Sequence, residues 1–381
     1  MNWFSSNQDR LEQFPVARDR IFLGHAGVSP LPKCAADAMR AHVDASCSHH
    51  QEFGEVLKDV SRARETCSRI INASWEEIAL LGPTSLGLSL FANGIDWQEG
   101  DELLCYRDDY PANVYPWLNL QEKGVRIRFL EPGQPGVITP ELVEAALTPA
   151  TRMVALASCH FLTGWRIDID AIGQLLKDRG VLFALDAIQT IGAFPTSVQN
   201  VDFLSADAHK WMLGPLAIGI VFVRRDKFDV CKPTLLGAWN IQSPDFITQD
   251  TIQFEPTARR YEPGVLNVTG IYGMKASLEM LQSHGIDRVS ERILEIRDYL
   301  WSLLREKGFE TISPVDAPLR SGILTVRHAD LSNEQLFANL EAAKISASLR
   351  KDRTGTAYLR FSPHFYNTRE EMDRVAAALR S

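Results

Sequence analysis

Apolar positions recur in two rhythms along this chain, and the rhythm changes with position. Between Ala35 and Ile71, Phe53, Val56, Leu57, Val60, Ala63, Cys67 and Ile70 fall at helical intervals, so the stretch predicts two helices with an apolar face. From Ile78 to Val223 the pattern becomes short apolar runs: IALL at 78, ELLCY at 102, VRIRFL at 125, MVALAS at 153, VLFAL at 181 and AIGIVFV at 217. A further apolar strand is expected in VDFLSADA, just ahead of Lys210. These runs are rich in Val, Ile and Leu and do not alternate, which is how strands covered on both faces read. Helical segments lie between them, so the fold class is α/β, with a mainly parallel sheet covered by helices.

The stretch from Cys231 to Pro263 breaks the rhythm with Pro233, Gly237, Pro244 and Pro256, and reads as a long loop of the kind that crosses a surface or an active site. Two helices follow at about 268 to 283 and 286 to 306. The C-terminal third then alternates strand-like GILTVRHA and AYLRFS with helical NEQLFANLEAA and TREEMDRVAAALR, which predicts a second, smaller α/β domain.

A chain of 381 residues is natural for two or three domains rather than one small core. With 45% hydrophobic and 23% charged residues it is a globular composition, and disorder is excluded. The net charge of −8 and the lack of a long Lys/Arg run leave no electrostatic footprint for nucleic acid or an anionic membrane. A small molecule or a second copy of the chain is the expected partner. The six cysteines are scattered with no CxxC, so neither a disulfide framework nor a metal site is suggested. Charged Asp9, Arg10 and Glu12 interrupt the N-terminus, and the longest apolar stretch, Pro215 to Val223, is far short of the roughly 20 residues of a membrane span. The expected location is the cytoplasm.

Ligands of open parallel sheets bind at the carboxyl ends of the strands. After IALL comes Gly82-Pro83-Thr84-Ser85 and then a helical segment, a turn that could bind an anion or simply cap the helix. After VLFAL comes Asp186, with Gln189 three residues on; alone, such an Asp is equally a metal ligand, a cap or a catalytic carboxylate. Lys210 follows the next strand, between His209 and Trp211. Taken alone it could be a surface lysine, but flanked by interior residues it is also a candidate amine nucleophile.

Together these elements suit pyridoxal 5'-phosphate, which needs a phosphate cradle, a partner for the pyridine nitrogen and an amine for its aldehyde. The chain resembles the class V aminotransferase family, the fold type I group of cysteine desulfurases, kynureninases and isopenicillin-N-epimerase-like enzymes. The resemblance runs from GHAGVSPLP at 24 to RFSPHFYNTREEMDRV at 360. It implies a seven-stranded-type sheet, with residues 1–20 packing on the small domain, a large cofactor-binding domain over 21–265, and linking helices with the small domain over 266–381. In ADAHKW it implies that Lys210 bonds the cofactor and later moves the α-proton, and that His209 contacts the phosphate. The D-x-x-Q of Asp186 and Gln189 implies a partner for the pyridine nitrogen and one for the phenolic oxygen. Tyr110 falls where relatives stack an aromatic ring on the cofactor, Thr84 and Ser85 match the phosphate turn, and Arg360 matches the grip on a substrate carboxylate. A homodimer with its site at the interface is also implied.

The departures concern the reaction. Where desulfurases carry a nucleophilic Cys, this chain reads Leu349-Arg350-Lys351-Asp352-Arg353-Thr354-Gly355-Thr356, and no cysteine lies beyond Cys231. A thiolate is needed to attack the substrate sulfur, so a sulfur-relay desulfurase is not expected. Phe161 in HFLTGWRID replaces an Asn, a form closer to the epimerase-like and aminotransferase-like subgroup. Val265 replaces a Thr that in relatives reaches the neighbouring subunit's phosphate, so that contact comes from the backbone, from Asn267, or not at all. Asp207 stands at a phosphate-binding Ser, where a carboxylate would repel a phosphate dianion, so its role is open. Selectivity is expected at Trp165, Arg166 and the 231 to 263 loop. The reading is a pyridoxal-phosphate enzyme acting at the α-carbon of a small amino acid, aminotransferase- or epimerase-like. Its alternatives are β-elimination by a C–S lyase or by a desulfurase- or selenocysteine-lyase-like enzyme without an enzymic Cys, and a non-catalytic pyridoxal-phosphate-binding protein.

Overall fold

The computed structural model describes residues 3–49, 51 and 53–379; the Phe53 side chain, part of the apolar stripe above, lies outside the described residues. The stripe region forms two helices, α1 (Lys33–Ser48) and α2 (Phe53–Ile71), which both pack on a later helix. Seven strands follow: β1 (Ile78–Leu80), β2 (Glu102–Tyr106), β3 (Arg126–Leu130), β4 (Thr151–Ala157), β5 (Leu182–Asp186), β6 (Phe203–Asp207) and β7 (Gly219–Val223). Between β1 and β2 lies α3 (Thr84–Gly94). The strands form one sheet in the order β1-β7-β6-β5-β4-β2-β3, in which only β7 runs against its neighbours.

Successive side chains of a strand point to opposite faces, and here both faces are apolar. In β4, Val154 and Leu156 join one core with Leu104 and Leu185, while Met153 and Ala155 join the other with Leu103 and Phe203. At roughly 25 cal/mol per Å² of apolar area removed from water, two such faces supply the main drive for the layered arrangement. The run at 125 departs from the expectation of burial on both faces. β3 is the edge strand, paired only with β2, and its Arg126 is exposed. The R-I-R alternation within that run is the polar signature of such an edge.

After the 231–263 loop come α4 (Val268–His284) and α5 (Ile286–Glu306). The remainder builds a four-stranded antiparallel sheet from β8 (Phe309–Thr311), β9 (Leu324–His328), β10 (Ser348–Lys351) and β11 (Ala357–Phe361), in the order β10-β11-β9-β8, with helices α6 (Asn333–Ala342) and α7 (Arg369–Ala378). The apolar pattern announced only β9 and β11, the inner pair; β8 and β10 are short edge strands with few apolar residues to reveal them. The N-terminal stretch adds Ile21–Phe22 as a parallel partner of Ile345–Ser346. Arg10 Nη1 also donates to Glu371 Oε1 at 2.8 Å, in the capping box that starts α7. Among the described residues no helix is long and apolar enough to cross a membrane.

The long loop is anchored where it meets the large sheet. Glu262 takes a bidentate pair of bonds from Arg64 of α2 and a third from the Leu80 N–H at 2.7 Å, while Arg64 Nη1 also reaches the Ile78 carbonyl at 3.0 Å. Both side chains are buried. Removing one partner of such a pair strands the other charge in the interior. Glu262→Ala should therefore lower unfolding stability by about 3–5 kcal/mol in urea titrations; a loss below 1 kcal/mol would show the pair to be dispensable.

Candidate active site

The carboxyl ends of the parallel strands gather the charged residues, and each is fixed there by backbone. Asp186 is the last residue of β5, and its Oδ1 accepts the Ile188 N–H at 3.0 Å. Lys210 lies three residues beyond β6, only 7% exposed, and its carbonyl accepts Ser29 Oγ at 2.7 Å. The same turn holds buried Leu213 at φ 56°, a left-handed conformation that a leucine adopts only when its surroundings impose it. Burial pulls the Lys210 ammonium below its usual range, with the Asp186 carboxylate pulling the other way. Asp186 is raised, first by burial and then by the carboxylate of Asp109.

Asp109, which the sequence reading missed, is a second buried carboxylate on the loop after β2. It accepts the Tyr110 N–H at 2.7 Å, Asn113 Nδ2 at 2.9 Å and the Ala157 N–H at 3.2 Å, yet burial pushes it up to about 6. Its signal was available: an acidic residue just past an apolar run, as with Asp186. Tyr110 beside it is 48% exposed; its ring lies 5.3 Å from Lys210 Nζ and packs edge-on against Phe161, with centroids 5.5 Å apart.

Arg360 enters from β11 of the small sheet, opposite Thr325 of β9 and Ser348 of β10. Its Nη1 donates to the Phe161 carbonyl at 2.6 Å, while Nε and Nη2 are buried without a partner. Burial, and then the Arg350 guanidinium, push it down to about 9. Two unanswered donors on a buried guanidinium need an anion. Gln189 is held at both ends of its amide: Oε1 accepts Trp211 Nε1 at 2.8 Å and Nε2 donates to the Ala26 carbonyl at 3.2 Å. One N–H remains for a ligand. Neither bond was legible in the sequence.

The Gly82–Ser85 turn lies at the start of α3, which has no side-chain cap. Thr84 Oγ1 accepts the Asp207 N–H at 2.8 Å, and Ser205 Oγ donates to the Thr84 carbonyl at 3.0 Å, so the turn is bolted to the end of β6. Ser85 follows it on the first turn of the helix, half-buried. Gly82 is required there, since a Cβ would meet Ile218 N at 2.7 Å. His209 pairs with Asp207 through Nδ1 at 2.6 Å. Asn267 sits apart from this cluster as the exposed N-cap of α4, accepting the Gly270 N–H, with Nδ2 3.4 Å from the Ala217 carbonyl beneath the turn. Arg166 is engaged by the carbonyls of Pro318 and Arg320 and by the Phe194 ring, which leaves its guanidinium a fastening between the two sheets.

These groups fit pyridoxal phosphate. An uncapped helix start and Thr84 could take the phosphate, Asp186 the pyridine nitrogen, and Lys210 the aldehyde.

The comparisons with known proteins agree with that fit. The sequence profile of the class-V aminotransferases matches residues 21–375. A probable cysteine desulfurase of Methanothermobacter thermautotrophicus is 26% identical, the match covering 99% of this chain and 98% of the relative. The fold is shared with the apo cysteine desulfurase of Thermococcus onnurineus (TM-score 0.90, 21% identity, 99% and 98% of the two chains). It is shared also with the cystine C–S lyase C-DES, solved with its reaction product cysteine persulfide (TM-score 0.87, 19% identity, 96% and 99%). Because the profile spans both the strand ends of the large sheet and the strand that delivers Arg360, the chain belongs to the class-V aminotransferase family and is a pyridoxal-phosphate-dependent enzyme.

Proposed function

We propose that the protein acts at the α-carbon of a small amino acid carrying sulfur on its β-carbon, and that it releases that sulfur by β-elimination without an enzymic thiol. The observation that carries the reading is Arg360: two unpartnered nitrogens, Nε and Nη2, on a buried guanidinium, across Phe161 from the Tyr110 and Lys210 pair. A protein that merely stored the cofactor would have no use for such a clamp.

Bound pyridoxal phosphate supplies an aldehyde for the amine and a pyridinium that takes up the electron pair left at the α-carbon. This chain's residues do the rest. Arg360 holds the substrate carboxylate, for which its free Nε and Nη2 form a fork. Asp186 keeps the pyridine nitrogen protonated; the bound cation would draw this carboxyl back down from the raised value that burial gives it. Gln189 donates its remaining N–H to the phenolic oxygen, and Tyr110 covers the ring. Lys210 is the base, and burial, which lowers its ammonium, favours the neutral amine that can accept the α-proton. The β-carbon–sulfur bond then breaks, the sulfur leaves with the electron pair, and the three-carbon enamine hydrolyses to pyruvate and ammonia.

The cysteines favour elimination over a sulfur relay. Cys159 is near enough to feel Arg360, but burial pushes its thiol up to about 11, and Cys67, Cys105 and Cys231 are buried and pushed up to about 12. None of these is a thiolate at neutral pH. A second reading, transamination or epimerisation, is favoured by Phe161, whose aromatic ring occupies the mouth beside Tyr110. A homodimer is supported by exposed Leu216, Leu235, Leu236 and Val265, which lie on or beside the 231–263 loop and the turn beneath the cradle.

Purified wild type should be yellow and should fix the cofactor covalently on borohydride reduction, and Lys210→Ala should not; identical spectra and identical trapping would remove Lys210 from its role. Given cysteine or cystine, the protein should form pyruvate, ammonia and released sulfur in equal amounts, and Cys159→Ser should retain most of that rate. Transfer of the amino group to an added keto acid, with no sulfur released, would replace elimination by transamination. Loss of sulfur release in Cys159→Ser would restore a thiol relay.

A further inference from the structure

The Asp207 and His209 pair has no part in the chemistry above, yet its geometry is specific. Asp207 ends β6 with a fully buried side chain; Oδ1 accepts the His209 backbone N–H at 3.2 Å and lies 2.6 Å from His209 Nδ1. Its Oδ2 is buried with no partner. Leaving a buried carboxylate oxygen unanswered is costly, and a serine at this place would avoid that cost, so the carboxylate requires a reason.

Three further observations set the pair against an anion site. α3 begins without a side-chain cap, so its first N–H groups face whatever precedes the helix. Thr84 Oγ1 binds the Asp207 N–H, which makes the turn and the end of β6 one piece. His209 adjoins Lys210, and its Nε2 has no protein partner among the described residues. A histidine whose Nδ1 is held by a carboxylate presents Nε2 in one fixed direction, because its other ring orientation would forfeit that bond.

We propose that Asp207 is a positioning residue that holds His209 by Nδ1 so that Nε2–H donates to the phosphate of pyridoxal phosphate. The ring then lies between two anions and donates to both, and this bridge offsets the repulsion a lone carboxylate would exert on the phosphate. The inference rests on the phosphate position assigned to the Thr84 turn and is independent of which bond the enzyme breaks.

The test is binding, not turnover. Dissociation constants of the apoprotein for pyridoxal phosphate and for pyridoxal, which lacks the phosphate, are measured for wild type, Asp207→Asn, His209→Gln and the double variant, with circular dichroism checking the fold of each. Asp207→Asn should weaken pyridoxal phosphate about tenfold, the scale of one charge-assisted hydrogen bond, and leave pyridoxal unchanged. The double variant should bind no more weakly than His209→Gln alone, since Asp207 acts through the imidazole. Unchanged or tighter binding of pyridoxal phosphate by Asp207→Asn would overturn the proposal, as would equal losses for the two ligands or losses that add in the double variant. If Asp207→Asn does not fold, Asp207→Ser takes its place and the same comparison decides. Failure of His209→Gln alone to weaken pyridoxal phosphate would instead remove the assumed phosphate position.

Discussion

Everything at the strand ends follows from one constraint: charged groups are held out of water with their hydrogen bonds incomplete. Arg360 keeps two free donors, Asp207 one free oxygen, and Lys210 lies 7% exposed among carboxylates. A buried charge is tolerated only when the surroundings fix it and something answers it. The protein supplies the fixing. Strand ends, the Ser29 hydroxyl and the Phe161 carbonyl set the directions of these groups, and the free donors of Arg360 are of the kind an anion answers. Rigidity here is a condition for binding, because a side chain free to turn would find a partner within the protein and close the site.

The two sheets divide this task. The large sheet carries Thr84, Asp186 and Lys210 at or beyond the carboxyl ends of its strands, while the small sheet delivers a single guanidinium through β11. Thr325 Oγ1 donates to the Leu162 carbonyl at 2.5 Å and Arg166 reaches the carbonyls of Pro318 and Arg320. These bonds set where Arg360 arrives relative to Lys210.

Much of this was legible in the sequence because it depends on local pattern. Apolar runs buried on both faces announce their strands, so the large sheet, the paired helices before it and the inner strands of the small sheet could be read directly. The ADAHKW, D-x-x-Q and RFSPHFYN segments pointed to Lys210, Asp186, Gln189 and Arg360 through their resemblance to the family, and Asp186 and Lys210 also by following apolar strands. What stayed hidden depends on contacts between distant segments. The Trp211 indole on Gln189 and the place of β3 at the edge of the sheet are set by what the chain meets after folding. Asp109 is the exception, a residue whose position was readable and whose burial was not.

Strand β7 also bears on how this chain can change. It alone runs against its neighbours, and so the short connection from Lys210 returns at once to the site, bringing the Ala217 and Ile218 backbone under Gly82, where even a Cβ would collide. That connection is walled on one side by the Lys210 turn and on the other by the Gly82–Ser85 turn. The β10–β11 hairpin, whose Lys351, Asp352, Arg353 and Thr354 line the opening beside Asp109 and Phe161, can lengthen without touching that connection. An insertion between Lys210 and Gly219 would instead displace the Ala217 and Ile218 backbone on which Gly82 rests.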